Sequence, residues 1–169
     1  MTYRTRTYIA ADFDNDKDAV DQLYKWNDSR SLSFIDAHEL HSSRDDSLYC
    51  SIKASLKERM DASKRFVLIV GDHTNTITKG NCRYCNSYNG YASYCVRGRS
   101  VDYSSYIEYE CQKAVEANIK IVVLYKNTKV DKSKCPQAVR NIGVHTPMIC
   151  KKENELHWDY SSVKNAFEV

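Results

Sequence analysis

The sequence predicts an α/β fold: a doubly wound, mostly parallel sheet of about five strands with helices on both faces. Short runs of continuous apolar residues alternate along the chain with segments of helical periodicity. This alternation is typical of βαβ units, whose parallel sheet is covered on both sides. A chain of 169 residues is also long enough to bury a core of its own. We therefore expect residues 1–169 to form one domain of flavodoxin-like topology.

Five apolar runs supply the predicted strands. They span residues 7–11, 32–35, 65–70, 119–125 and 146–150. The third and fourth runs are rich in β-branched residues, which favour strands. Because consecutive parallel strands need a crossover connection, helices are expected between them.

Four segments carry the helical spacing of apolar residues, at 17–26, 48–60, 106–114 and 160–167. Apolar residues recur at every fourth position of the second segment: Leu48, Ile52, Leu56 and Met60. Asp16 or Asp18 suits the start of the first helix, where the dipole favours a negative charge. Asp46 or Ser47 lies at the start of the second. A weak helix is expected after Pro136, since proline suits a first helical turn.

Composition and charge exclude several classes of function. The formal net charge is only +3, and Lys and Arg are dispersed along the chain, which argues against nucleic acid as a partner. No apolar stretch approaches the roughly 20 residues that span a bilayer, and residues 1–6 lack the apolar region of a signal peptide. Seven cysteines, an odd number, then indicate reduced thiols. We expect a cytoplasmic protein that binds neither membrane nor nucleic acid.

One segment, residues 78–102, departs from the alternating pattern and is interpreted as an insertion or lid. It is rich in Gly, Asn, Ser and Tyr and lies between the third strand and the third helix. It holds Cys82, Cys85 and Cys95, which could bind zinc with His73 or Cys111 as the fourth ligand. No second CxxC pair completes such a set, so free thiols are the default expectation and zinc the alternative.

The third helix places a carboxylate beside its apolar stripe. The stripe consists of Ile107, Cys111, Ala114 and Val115. At about 100° per residue, Glu110 lies next to this stripe, whereas Glu108 lies on its other flank and farther out. A carboxylate turned towards a core costs free energy unless it is used. Glu110 is therefore the residue whose position most needs a functional reason.

Polar residues follow three of the predicted strands, at 12–16, 36–38 and 71–74. In doubly wound sheets, ligands bind beyond the carboxyl ends of the strands. We therefore expect these segments and the start of the 106–114 helix to line one crevice. The candidate residues there are Asp12, Asp14, Asp36 and His73.

Other sites known for this class of fold lack their motifs. The sequence has no GxGxxG or GxxxxGK[ST] phosphate loop and no GxSxG nucleophile elbow. A phosphoreceiver site is a competing interpretation, because acidic residues follow the first strand and Asp72 follows the third. Such a site also needs a small hydroxyl residue at the end of the fourth strand, which here ends in Tyr125 and Lys126. Its lysine after the fifth strand usually precedes proline, whereas Lys151 precedes Lys152.

The chain resembles a TIR-like domain in three segments: residues 8–16 (YIAADFDND), 66–74 (FVLIVGDHT) and 105–111 (SYIEYEC). More narrowly, it resembles the bacterial family that includes the nucleotide-signalling subunit of Thoeris anti-phage defence, of the ThsB type. The resemblance extends to about residue 150 and includes the helix that leads into the second segment.

This resemblance implies an enzyme that cleaves NAD. TIR enzymes carry an aromatic residue four positions before a glutamate essential for the cleavage, and Tyr106 and Glu110 occupy these two places. Phe13 would stack on a ring of the substrate, between Asp12 and Asp14. NAD is then a substrate, and no cofactor is expected. The implied product is a cyclic or conjugated ADP-ribose that activates a separate effector protein in anti-phage defence.

A non-catalytic interpretation stays open. Many TIR-like domains act by self-association, so the chain could be a protein-interaction or ligand-sensing module that forms a homo-oligomer. Glu110 would then be a structural carboxylate paired with Lys113 or with an arginine. Release of nicotinamide from NAD would distinguish the two interpretations.

Overall fold

The computed structural model of the chain describes residues 4–29, 31–37 and 48–169. Nine strands lie in these ranges, in chain order β1 (Thr5–Ala10), β2 (Phe34–Asp36), β3 (Arg65–Val70), β4 (Tyr88–Asn89), β5 (Tyr94–Cys95), β6 (Lys120–Tyr125), β7 (Val144–Pro147), β8 (Ile149–Lys152) and β9 (Glu155–Trp158). The same ranges hold four α-helices, α1 (Lys17–Asp28), α2 (Tyr49–Asp61), α3 (Tyr106–Glu116) and α4 (Tyr160–Glu168). Each helix begins within one residue of its predicted start. Within these ranges no helix has the length and apolar character needed to cross a membrane.

Five strands form the central sheet, in the order β2-β1-β3-β6-β7. All four neighbouring pairs are parallel. This order confirms the predicted doubly wound, flavodoxin-like α/β fold. The central strand β3 has its predicted bounds, because five of its six residues are buried and its apolar run is continuous.

Helices cover both faces of the sheet, and alternate strand residues point into two separate cores. On β3, Phe66 and Leu68 belong to one core, whereas Val67 and Ile69 belong to the other. Residues of α2 and α3 complete the first core, and residues of α1 and α4 complete the second. We call these the α2–α3 face and the α1–α4 face.

The end of the chain differs from the prediction. The single strand expected at 146–150 is divided in two, because β7 closes the central sheet while β8 pairs antiparallel with β9. Glu153 and Asn154 join this hairpin with φ angles of 52° and 65°, the left-handed conformation of tight hairpin turns. The usual glycine is missing from this turn, which explains why the pattern did not reveal it. The helix expected after Pro136 is only a 3₁₀ turn, Gln137–Val139.

The segment predicted as an insertion, residues 78–102, lies between β3 and α3 in the chain. It contains a 3₁₀ turn at Cys82–Tyr84 and the short antiparallel pair β4 and β5. Its two ends are joined by a hydrogen bond of 3.0 Å from the Cys82 N–H to the carbonyl oxygen of Asp102.

Two predictions fall outside the described residues. These are the cap of the second helix by Asp46 or Ser47, and the place of His38 after the second strand. In the described part of the chain, Leu48 is the N-cap of α2 and its side chain makes no capping hydrogen bond.

Candidate active site at the start of α3

The start of α3 is fixed by a capping box. The Ser105 hydroxyl accepts a hydrogen bond from the Glu108 N–H, and the Glu108 carboxylate accepts one of 2.7 Å from the Ser105 N–H. The Glu108 carboxylate is therefore used in capping the first turn of the helix. Of the two glutamates in this turn, only Glu110 is left for chemistry.

Glu110 lies within the buried face of α3 rather than beside it. Its neighbours on that face are Ile107, Cys111 and Ala114, all buried. Val115, which the sequence pattern placed in the apolar stripe, is instead 36% exposed. The stripe is rotated towards Glu110 because α3 packs between α2 and the 3₁₀ turn after Pro136.

The Glu110 carboxyl group is almost completely desolvated. Only 6% of the residue is exposed, and Oε2 has no hydrogen-bond partner among the described residues. Burial raises the pKa of Glu110 to about 8, and a hydrogen bond with the Tyr8 side chain opposes this rise. Lys113, the alternative partner considered from the sequence, pairs with Glu116 at 2.8 Å. The carboxyl group therefore has a neutral neighbour and no cation at hydrogen-bonding distance in the described chain.

Tyr8 is the residue of this site that the sequence did not reveal. It is fully buried on β1, where its ring packs in the α2–α3 core and its hydroxyl reaches Glu110. Burial and the nearby carboxyl group raise the pKa of Tyr8 well above its usual value. Because Tyr8 lies in an apolar run, the sequence pattern predicts only that it belongs to the core. Its hydroxyl group could have indicated the site, because a buried tyrosine usually needs a polar partner.

Tyr106 lies one helical turn before Glu110, on the same side of α3. Its ring meets the ring of Tyr49, at the start of α2, edge to face with centroids 5.6 Å apart. On another side it packs against Gly80, where an added Cβ would lie 2.6 Å from the Tyr106 ring. Burial raises the pKa of Tyr106, and its hydroxyl oxygen is buried with no partner in the described ranges.

The Tyr106–Glu110 pair thus presents two buried oxygens without partners, one turn apart. Leaving a buried polar atom unsatisfied costs about 1–3 kcal/mol. Such groups are rare in folded proteins, and each calls for an explanation. A ligand with hydroxyl groups would satisfy both atoms.

The acidic loop after β1 uses most of its polar atoms internally. The two carboxylate oxygens of Asp12 accept hydrogen bonds from the Asp14 N–H (3.2 Å) and the Asn15 side-chain amide (2.6 Å). Phe13 and Asp14 are exposed at the tip of the loop. In the described chain, no hydrogen bond joins Asp12 to the Tyr106–Glu110 pair. The structure therefore places Phe13 and Asp14 where a ligand can reach them, and gives Asp12 a part in shaping the loop.

Asp16 holds the carboxyl ends of three strands together. It is the N-cap of α1, but its side chain makes no capping hydrogen bond. Its carboxylate instead lies 3.5 Å from Lys126 at the end of β6 and beneath Gly71 at the end of β3. A Cβ at Gly71 would lie 2.2 Å from both Asp16 oxygens, so any larger residue would require the Asp16 carboxylate to move. The pKa of Asp16 is raised by burial, and Lys126 opposes this rise.

Asp36 and His73 lie away from Glu110. The Asp36 carboxylate accepts a hydrogen bond of 2.5 Å from the hydroxyl of Tyr24 on α1. Asp36 shares a side of β2 with Phe34, which belongs to the α1–α4 core, so it lies on the opposite face from Glu110. His73 is exposed in the turn after β3, next to Asp72, which forms an ion pair with Lys134. Both residues lie at the carboxyl ends of strands, but the structure does not bring them to the pair.

All seven cysteines have free thiols. Three of them, Cys82, Cys85 and Cys95, lie in the insertion as the sequence places them. Within the described ranges, no group of three His, Cys, Asp or Glu side chains is arranged to hold a metal ion.

Comparison with protein families gives one match. Residues 8–79 match the family described as the TIR-like domain of the Thoeris protein ThsB. This match confirms the resemblance predicted from segments 8–16 and 66–74. It includes Tyr8, the second half of β1 and the strands β2 and β3, and it ends before Tyr106 and Glu110. No curated protein matches the chain.

Two solved structures align with most of the chain. A 2-deoxyribosyltransferase from the psychrotolerant bacterium Bacillus psychrosaccharolyticus aligns over 95% of this chain and 90% of its own, with a TM-score of 0.51 and 12% identity. The CMP N-glycosidase BcmB of Clostridium botulinum aligns over 96% of this chain and 97% of its own, with a TM-score of 0.46 and 12% identity. At this level of identity, the first likeness shows a common fold and nothing more specific.

Proposed function

From the ThsB-type TIR-like sequence of residues 8–79 and the buried carboxyl group that follows it, we propose that the chain cleaves the bond between nicotinamide and ribose in NAD. The observation that carries this proposal is Glu110, a desolvated carboxyl group with an unpartnered oxygen, one turn from Tyr106. A strongly raised pKa caused by burial is typical of functional carboxyl groups. NAD is the substrate, and the reaction uses no further cofactor.

Binding of NAD would create the active form of Glu110. With a pKa of about 8, the free protein holds this group protonated at neutral pH. The nicotinamide ring of NAD is cationic, and a cation near a carboxyl group lowers its pKa. Glu110 then loses its proton to solvent, and the carboxylate forms beside the ribose that reacts. The Tyr8 hydroxyl stabilises this carboxylate by donating a hydrogen bond.

The bond between the ribose and the nicotinamide nitrogen breaks with its electron pair on the nitrogen, so nicotinamide leaves as a neutral molecule. The ribose becomes an oxocarbenium-like cation, which the Glu110 carboxylate stabilises. A nucleophile then bonds to the anomeric carbon and gives its proton to the carboxylate. Water would give ADP-ribose, a group of the same dinucleotide would give a cyclic product, and another small molecule would give a conjugate.

The other predicted substrate-binding residues take different parts in this proposal. Tyr106 packs against the nicotinamide riboside, and Phe13 stacks on a ring from the strand-end loop. Asp14 and His73 are exposed at the carboxyl ends of strands, where they contact polar parts of the substrate that are remote from Glu110. Asp12 and Asp36 act by holding the loop and the end of β2 in place. The product would activate a separate effector protein in the cytoplasm, in anti-phage defence.

The test is release of nicotinamide from NAD by the purified protein, alone and with lysate of phage-infected cells. We expect Glu110→Gln to lower the rate at least about 100-fold, as loss of a group that stabilises developing charge does. Glu108→Gln is the matched control: it makes the same change two residues away and keeps the capping box, so its rate should stay within about twofold. Equal rates for Glu110→Gln and the wild-type protein would contradict the proposal.

A non-catalytic interaction module is the second candidate. It is favoured by the exposed apolar side chains of the insertion, among them Tyr84, Tyr91, Tyr94 and Val96, since such clusters mark contact surfaces. A module of this kind would form homo-oligomers or bind a partner without releasing nicotinamide. Its binding would be unchanged in Glu110→Gln and lost when these tyrosines are replaced.

A further inference from the structure

The insertion carries all the excess positive charge of the protein. Residues 78–102 contain four Lys or Arg residues and one acidic residue, Asp102, a balance equal to the formal charge of +3 for the whole chain. The formal charges of the rest of the chain therefore sum to zero. A local excess of one sign beside a candidate site favours a ligand of the opposite sign.

The insertion is fixed at both ends around Tyr106. At its start, the Lys79 carbonyl oxygen accepts a hydrogen bond of 2.9 Å from the Tyr106 N–H. At its end, the buried Lys53 of α2 forms an ion pair of 3.2 Å with Asp102 and donates a hydrogen bond of 2.8 Å to the Ser104 carbonyl oxygen. Both ends of the insertion are thus held close to Tyr106.

One cation of the insertion, Arg99, reaches back to the first turn of α2. Its Nη1 lies 3.5 Å from the Cys50 sulfur and 3.4 Å from the Ser51 hydroxyl oxygen. Both are neutral and weak partners, and in the described chain Arg99 forms no ion pair. The first turn of α2 contains no acidic residue either. Cys50 directly follows Tyr49, whose ring contacts Tyr106, so the Arg99 guanidinium group and the Tyr106 ring both lie at the first turn of α2.

The turn that carries Arg99 is stabilised by contacts between its own residues. The Gly98 N–H donates a hydrogen bond of 2.9 Å to the Cys95 carbonyl oxygen, and Gly98 has a φ of 71°. The backbone N–H groups of Arg99 and Arg97 also lower the pKa of the nearby Cys95 thiol. The backbone that carries Arg99 is therefore ordered before a ligand binds, which reduces the entropy cost of binding.

We infer that Arg99 binds the pyrophosphate of a dinucleotide whose ribose lies on Tyr106 and Glu110. An arginine fork matches phosphate oxygens in geometry and charge. A second observation points to a ligand at the same place: Glu110 is 6% exposed, and its Oε2 has no partner in the described ranges. This inference rests on the proposed function and adds a specificity-determining residue, one that selects dinucleotides over nucleosides.

The test compares NAD with nicotinamide riboside, which has the same scissile bond and no phosphate. Arg99→Ala should raise KM for NAD about 10-fold or more and change kcat less than threefold, because the lost contact is remote from the reacting atoms. Cleavage of nicotinamide riboside should be unchanged. Arg99→Lys should recover part of the loss. Arg97→Ala is the matched control, with the same loss of charge in the same turn.

Calorimetry with ADP-ribose separates this inference from the proposed function. If the wild-type protein binds ADP-ribose and Arg99→Ala weakens binding about 10-fold, the inference holds whether or not NAD is cleaved. If Arg99→Ala binds ADP-ribose and NAD as the wild-type protein does, or if Arg97→Ala loses as much, the inference is overturned while the role of Glu110 stands. A protein that neither cleaves NAD nor binds ADP-ribose overturns both.

Discussion

Two buried carboxyl groups lie near the carboxyl edge of this sheet, and their surroundings differ in one respect. Asp16 is 2% exposed and Glu110 is 6% exposed, and each has one oxygen without a partner in the described chain. Asp16 has a cation within 3.5 Å, Lys126, whereas the polar neighbour of Glu110 among residues 4–29, 31–37 and 48–169 is the neutral Tyr8 hydroxyl. The ion pair explains Asp16 as part of the structure. Glu110 has no such explanation, so it is better explained by what it binds.

The strongest contrast is in the effect of Glu110→Gln on stability. The pKa of Glu110 is about 8 in the folded protein and 4.5, its ordinary value, in the unfolded chain. The free energy of unfolding is therefore highest below pH 4.5, where both states are protonated, and it falls as the pH rises from 4.5 to 8. Because glutamine cannot ionise, the variant should match the wild-type protein near pH 4 and exceed it near pH 9 by up to roughly 5 kcal/mol. Urea unfolding at both pH values measures this. A structural carboxylate would give the opposite result, a destabilised variant at high pH.

The surroundings of Tyr106 can be disturbed through Gly80. Alanine there would adopt an unfavourable φ of 97° and place a Cβ 2.6 Å from the Tyr106 ring. We expect Gly80→Ala to lower the free energy of unfolding by about 2–3 kcal/mol and to raise KM for NAD, because Tyr106 must move. Gly90→Ala is the control, since an added Cβ there meets nothing within 4 Å. Equal unfolding midpoints for the two variants would show that Tyr106 is not held by this contact.

Lys126 should be needed for stability and not for chemistry. Its Nζ lies 2.7 Å from Asp18 and 3.5 Å from Asp16, and these partners raise its pKa. Lys126→Met leaves the buried Asp16 without a cation, and we expect the free energy of unfolding to fall by about 2 kcal/mol at pH 7. This value allows for screening by solvent, because Lys126 is partly exposed. The loss should shrink at low pH, where Asp16 is protonated. A kcat for NAD reduced more than threefold would contradict the division between the two carboxyl groups.

The smallest effect concerns the hydrogen bond from Tyr8. In the wild-type protein, kcat/KM should rise with pH and level off above the Glu110 pKa of about 8. That hydrogen bond lowers the pKa of Glu110, so Tyr8→Phe should move the rise to higher pH by about one unit. The activity lost near pH 7 should then return near pH 9. A uniform loss at every pH would mean that Tyr8 supports packing alone.

Local patterns predicted most of the fold. The apolar run of β3 and the starts of α1, α3 and α4 follow from residues adjacent in sequence. The hairpin of β8 and β9 was missed, because Glu153 and Asn154 adopt a left-handed turn that their residue types do not signal. Helical periodicity selected Glu110 but assigned Val115 to the same face, and packing against α2 decided between them.

The candidate site was less predictable, since strand-end position does not say which face a side chain occupies. Asp36 and Glu110 belong to opposite faces of the sheet, because Asp36 pairs with Tyr24 on α1. Tyr8 was overlooked since its hydroxyl finds its partner on a helix far along the chain. Asp16, expected to cap α1, turns instead towards Lys126.

The sequence by itself determined the class of fold, the positions of the helices and the choice of Glu110 over Glu108. These follow from the periodicity of apolar residues, which acts over a few residues. Only the tertiary structure decided that Glu110 is desolvated, that Tyr8 is its neighbour and that Arg99 returns to α2. Burial and pKa depend on atoms from distant segments, and those atoms meet only after β1, α2, the insertion and α3 have packed together.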